Sequence, residues 1–153
     1  MRAVLQRVRR ASVEVDGQVV GTIGNGLLVF LGIGSQDTEQ DIQWMVDKII
    51  NLRIFEREKG RMNESLLDMG GEVLVVSQFT LYGDCSKGRR PSFSGAMPSH
   101  EAKKVFDTFL ERMRQRVDRV ESGIFQAYMD VNLINEGPVT MILDSKEVKS
   151  VRL

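Results

Sequence analysis

The chain has 153 residues, with 21 Lys plus Arg set against 21 Asp plus Glu. That length favours one domain over 1–153, and the balanced charge argues against a protein held on nucleic acid by bulk charge. The single cysteine, Cys85, excludes an internal disulfide framework, and no run approaches the ~20 apolar residues of a membrane span.

The opening MRAVLQRVRRASVEV interleaves charged with apolar residues and lacks the apolar core of a signal peptide. A cytoplasmic protein with no membrane partner and Cys85 as a free thiol is therefore expected. Residues 2–8 read as a strand. Residues 12–15 and 18–23 alternate around Asp16-Gly17, a strong hairpin signal because both central positions favour positive φ. The continuous apolar run 26–33 (GLLVFLGI) fits a strand covered on both faces.

A helix follows. Asp37 or Thr38 can cap it, and Ile42, Met45, Val46, Ile49 and Ile50 form one apolar stripe with Trp44 at its edge. Residues 52–56 suggest a short strand, 57–71 a polar loop, and 72–79 another buried strand. Residues 82–98 form a long loop with Lys87, Arg89 and Arg90; loops of this length are usually functional or disordered. A second helix, with Ser99 as its expected cap, carries the stripe Ala102, Val105, Phe106, Phe109, Leu110, Met113 and Val117, and stops before Gly123. Residues 124–134 alternate with period two, placing Phe125, Ala127, Met129, Val131 and Leu133 on one face. Asn135-Glu136-Gly137-Pro138 reads as a turn, 139–143 as a last strand, and 146–153 as a flexible tail. Strictly alternating βαβ units are absent, so an α+β-like or irregular α/β domain with mixed pairing and helices on one side is expected.

Two segments stand out chemically. Ser77, Gln78, Phe79 and Thr80 sit at the end of an apolar strand, where hydroxyls, an amide and free backbone N–H groups face a rim. The same residue types also serve simply as structure there. Gly137-Pro138 is first of all a turn, but proline donates no N–H and leaves neighbouring carbonyls free to point outward. The bond before Pro138 could also be cis, which is uncommon. Other catalytic plans fail. His100, the only histidine, falls in the first turn of a helix. No His/Cys/carboxylate spacing suits a metal. Gly32-Ile33-Gly34 is a fragment and matches no phosphate-binding loop. No cofactor is expected.

The blocks MRAVLQRVRRASV, SQFTLYGD, KGRRPSF and NEGPVT, spread over residues 1–145, together resemble the D-aminoacyl-tRNA deacylase family, also described as the D-tyrosyl-tRNA(Tyr) deacylase family. The resemblance implies an α/β (α+β-like) domain with layered β-β-α architecture, mixed and largely antiparallel barrel-like sheets, and two main helices on one side. It implies a homodimer that hydrolyses the ester of D-aminoacyl-tRNA at its 3′ acceptor end, with sites at the subunit interface and no DNA partner. It further implies that a cis Gly137-Pro138 of one subunit reaches into a site built from Ser77, Gln78, Phe79 and Thr80 of the other. Arg7 would support that turn, Phe125 would stack on the terminal adenine or serve as a core aromatic, and Lys87, Arg89 and Arg90 would meet phosphates. Two rival readings remain: a small-ester hydrolase with Thr80 or Ser77 as nucleophile, and a non-catalytic RNA-binding module.

Overall fold

A computed structural model describes residues 1–147. Strand β1 (Arg2–Val15) joins the two expected opening strands into one. It turns at Asp16 (φ 51°) and Gly17 (φ 75°) into β2 (Gln18–Ile23), the hairpin that the Asp-Gly pair foretold. Then come β3 (Gly26–Gly32), α1 (Glu39–Asn51), β4 (Phe55–Glu56), β5 (Met62–Glu64), α2 (Leu66–Met69) and β6 (Glu72–Ser77). A 3-10 turn (Phe79–Tyr82), α3 (Ser99–Arg114), β7 (Val120–Ser122) and β8 (Asp130–Asp144) complete the order.

The main sheet runs β2-β1-β3-β6-β7, with β8 on the other edge of β1. Pairs made by β1 are antiparallel; β3-β6 and β6-β7 are parallel. The sheet curls until its ends meet. A Cβ on Gly21 of β2 would lie 3.0 Å from the Ser122 carbonyl of β7. The result is a nearly closed, barrel-like sheet with few helices, as the resemblance implied.

Curling gives β3 and β6 two buried faces. Leu28, Leu74 and Val76 fill the barrel with Val8, Ala11, Val13 and Ile23. Their neighbours Leu27, Val29, Leu31, Val73 and Val75 pack outward with Met1, Ala3 and Leu5 against α1 and α3. The helices contribute Ile42, Met45, Val46, Ile49 and Ile50 from α1, and Phe106, Phe109, Leu110 and Met113 from α3. These are the two stripes read from the sequence. Trp44 is half-buried at the stripe's edge, with the Lys48 ammonium 5.5 Å from its ring centroid.

Thr38, and not Asp37, caps α1: the Asp41 carboxylate accepts from the Thr38 N–H and hydroxyl, both at 2.8 Å. Asp37 instead accepts from the Gly34 N–H (2.7 Å) and the Met1 ammonium (2.5 Å). The assumed tail begins inside this cluster. Ser145 is buried, donates to Asp41 (2.7 Å) and accepts from Met1 (2.8 Å), while the Lys146 ammonium reaches Asp41 at 2.9 Å. Burial pushes the Asp41 carboxyl up, but hydrogen bonds from Ser145, Lys146 and Thr38 outweigh it and hold the group far below the usual carboxylate range. Residues 148–153 lie outside the described residues.

Other expectations change. The 57–71 loop contains β5 and α2, the latter capped by Ser65, which accepts from the Asp68 N–H at 3.1 Å. Pro98 and not Ser99 stands at the cap position of α3, the helix ends at Arg114, and Val117 is buried in the turn beyond it as the chain returns to β7, which the sequence reading missed. Residues 124–129 are not strand. Their alternation is real burial in an irregular turn that leaves Ile124 and Tyr128 exposed and packs Phe125 inward.

Candidate functional site

Two exposed turns carry the residues singled out above. The first continues β6. Ser77 pairs with Leu31, and the Gln78 N–H still donates to the Leu31 carbonyl at 2.8 Å. The chain then winds into the 3-10 turn, closed by Leu81 N–H to Gln78 O (3.3 Å) and Gly83 N–H to Thr80 O (2.9 Å). The N–H groups of Phe79 and Thr80 precede that first internal bond, so the turn itself has no carbonyl for them. The Gln78 side-chain amide donates to the Thr80 hydroxyl. Phe79 is 59% exposed and meets the Phe93 ring edge-on at 5.1 Å.

What lets the turn sit so close to the sheet is missing side chains. A Cβ on Gly32 would fall 2.9 Å from Leu81 Cβ and 3.0 Å from the Gln78 carbonyl. One on Gly34 would fall 2.6 Å from the Tyr82 hydroxyl. The Gly32-Ile33-Gly34 fragment therefore makes a floor for the turn. From above, Arg2 Nη1 donates to the Leu81 carbonyl (3.1 Å) and its guanidinium lies 4.7 Å from the Tyr82 ring centroid. Burial, with Asp37 and Asp144 adding to it, drives the Tyr82 phenol above its ordinary range, so the ring stays neutral.

The second turn interrupts β8. Gln6 pairs with Thr140 and Val8 with Asn135. Glu136, Gly137, Pro138 and Val139 therefore stand opposite Arg7 alone, as a bulge within one strand and not as a turn between two. The Gly137-Pro138 peptide is cis and Gly137 has φ 116°. Val139 is buried while Pro138 is exposed. Arg7 is buried and grips the bulge: Nε donates to the Glu136 carbonyl (3.3 Å), and Nη1 donates to the Ile54 carbonyl (2.7 Å) and to Glu56 (3.3 Å). The Gly60 N–H, then Arg7, hold the Glu56 carboxylate below its usual range.

One chain keeps these turns apart. Arg2 and Arg7 are five residues apart on β1, about 17 Å by strand rise, and an odd spacing sends them to opposite faces. Phe125 is tied to neither; its ring packs on Phe106 at 5.6 Å, on the helical side. Lys87, Arg89 and Arg90 are exposed in the long loop, which is pinned by the Asp84–Ser92 bridge. His100 is exposed. Sequence reasoning missed Arg2, Gly32, Gly34, Ile54 and Glu56. The paired glycines before a helix were the one available signal.

A model of the D-Tyr-tRNA(Tyr) deacylase family matches residues 4–144. A D-aminoacyl-tRNA deacylase from Thermosipho africanus is 57% identical over 148 residues, covering 97% of this chain and 99% of the relative. Another from Halothermothrix orenii is 58% identical over 147 residues, covering 96% and 99%. Among solved structures, the c-Myc DNA unwinding element binding protein superposes with TM-score 0.90 at 46% identity, covering 95% of this chain and 99% of that one. A structure described as a probable eukaryotic D-amino acid tRNA deacylase shares the fold, with TM-score 0.82 at 20% identity, covering 93% and 97%.

Proposed function

The chain belongs to the D-Tyr-tRNA(Tyr) deacylase family, and on that premise we propose that it hydrolyses the ester bond of D-aminoacyl-tRNA, releasing free D-amino acid and tRNA. The observation that carries this reading is identity of 56–58% to proteins named for that activity over nearly the whole chain. The substrate partner is the 3′ acceptor end of a charged tRNA, and the compartment is the cytoplasm.

The chemistry runs on the backbone. Water attacks the ester carbonyl, the developing oxyanion is received by the N–H groups of Phe79 and Thr80, and the ribose oxygen leaves with a proton. One such donor is worth roughly 10²–10³ in rate. The terminal 2′-hydroxyl of the RNA assists the proton movement. Among the described residues no general base pairs with Thr80: its hydroxyl accepts from the Gln78 amide, and the only histidine, His100, is exposed in α3.

Selection by handedness comes from a second copy of the chain. The carbonyls of Gly137 and Pro138 from the partner accept the substrate α-ammonium and leave no room for an L side chain. Rejection then replaces recognition of any particular side chain. Glycine has nothing to reject, so glycyl-tRNA, including glycine mischarged on tRNA(Ala), is also a substrate. Two features support the dimer. The two turns are separated within one chain, and β8 offers an edge unpaired among the described strands, with Leu133, Ile134 and Ile142 exposed. A long open edge of this kind invites pairing with another chain.

The test is release of amino acid from matched D- and L-aminoacyl-tRNA. Turnover of the D form alone supports the reading; equal turnover of both, or none, ends it. A small ester lacking the ribose separates the rival hydrolase, which would cleave it. The relative named for a DNA element motivates one further control, binding to duplex DNA, which the zero net charge argues against.

A further inference from the structure

The Phe79–Tyr82 turn is short, exposed at Phe79 and Thr80 and followed by a long loop, so its position needs an external reference. Gly32 and Gly34 fix how close it can come, but nothing in a floor prevents it from lifting. Arg2 closes the other side. Its Nη1 donates to the Leu81 carbonyl (3.1 Å), its Nε donates to Asp144 at the end of β8 (2.9 Å), and its guanidinium carbon lies over the Tyr82 ring. One rigid fork thus ties the turn to β1 and β8 together.

We propose that Arg2 is a positioning residue for this turn, setting where the Phe79 and Thr80 N–H groups point without touching the substrate itself. The proposal rests on the reading that these two groups receive the oxyanion. Its energetics favour position over stability. The Arg2 side chain is 44% exposed, so water screens its pairing with the Asp144 carboxylate and the pair adds little to global folding. A donor moved by about 1 Å from its productive place, in contrast, costs up to about 10²-fold in rate. Lysine keeps the charge but has no flat fork to reach Leu81, Asp144 and the Tyr82 face at once.

The experiment compares wild type, Arg2→Ala, Arg2→Lys and the control Arg116→Ala, which removes an exposed arginine just beyond α3 that pairs with Asp47 of α1. Hydrolysis of D-aminoacyl-tRNA is measured as kcat and KM, and the Phe79 and Thr80 amide resonances are followed by NMR. The expected result for Arg2→Ala is a kcat lower by about 10-fold or more at nearly constant KM, with both amide resonances shifted. Arg2→Lys recovers only part of the rate, and Arg116→Ala matches wild type. Unchanged kcat, or a loss confined to KM, overturns the proposal, the second outcome marking Arg2 as a contact to the RNA. If Arg2→Ala does not fold, Arg2→Lys decides: a wild-type kcat in it refutes the fork. An inactive wild type would sink the deacylase reading and leave the amide shifts to judge Arg2.

Discussion

The Phe79–Tyr82 turn rests on Gly32 and Gly34, which lack the atoms to push it away, whereas the Glu136–Val139 bulge is gripped by the buried guanidinium of Arg7. The first is located by room left empty, and the second by a side chain with several partners. They should therefore fail differently: crowding displaces the turn, while deleting a cation releases the bulge.

The sharpest way to test that contrast is Gly32→Ala. The new methyl meets Leu81 Cβ and the Gln78 carbonyl, so the turn must move, and a ~10²-fold loss of kcat on D-aminoacyl-tRNA is expected with the fold retained. Wild-type turnover in that variant would mean that the floor does not set the site. Arg7→Ala probes the other principle. It strips donors from the Glu136 and Ile54 carbonyls and leaves Glu56 unpaired by Arg7, so a cost of about 2–3 kcal/mol is expected, seen as a fall in Tm of roughly 5–10 °C. D/L discrimination should fall more than D turnover; a variant that loses only turnover breaks the assignment of Arg7 to the bulge. Gly137→Ala is milder. Its φ of 116° disfavours alanine, and the Cβ would sit 2.9 Å from Arg7 Nη2. About tenfold weaker rejection of the L substrate is expected, checked by parallel deacylation assays.

Much of the frame was legible in sequence. Continuous apolar runs at 26–33 and 72–79 announced buried strands, although the second ends at Ser77, and Asp16-Gly17 announced its hairpin. The bulge was not legible, because Gly-Pro between two apolar segments reads alike whether the chain reverses or steps aside. The difference lies in the strand opposite, where Arg7 faces four residues. Nor were the anchors legible. Gly32 makes space for Leu81, and Arg7 reaches Ile54 and Glu56, partners about 50 residues away in the chain. The alternation at 124–129 misled because a turn can half-bury every second side chain without any strand pairing.

Acid sets both turns against a third region, the cluster of Met1, Asp37, Asp41, Ser145 and Lys146. Asp41 is held far below the unfolded carboxylate value of about 3.9, so its stabilisation is complete above that value and drains away as pH falls below about 4. Tm should drop between about pH 4 and pH 2, and Asp41→Asn should flatten that part of the profile; an equally steep profile in the variant counts against the cluster as the source. The smallest effect is expected from Thr80→Ala, which leaves the backbone N–H in place and should stay within about threefold of wild-type kcat. Complete loss in a folded variant would restore the hydroxyl as nucleophile.

The glycine floor has a consequence for how such an enzyme is lost by mutation. If the Phe79 and Thr80 amides are the working groups, exchanging the side chains at the site for anything but proline deletes neither of them. The vulnerable codons are instead those for Gly32 and Gly34, at which almost any missense change adds bulk. A mutational scan should thus find its deepest intolerance beneath the reacting centre, with a more permissive layer on top.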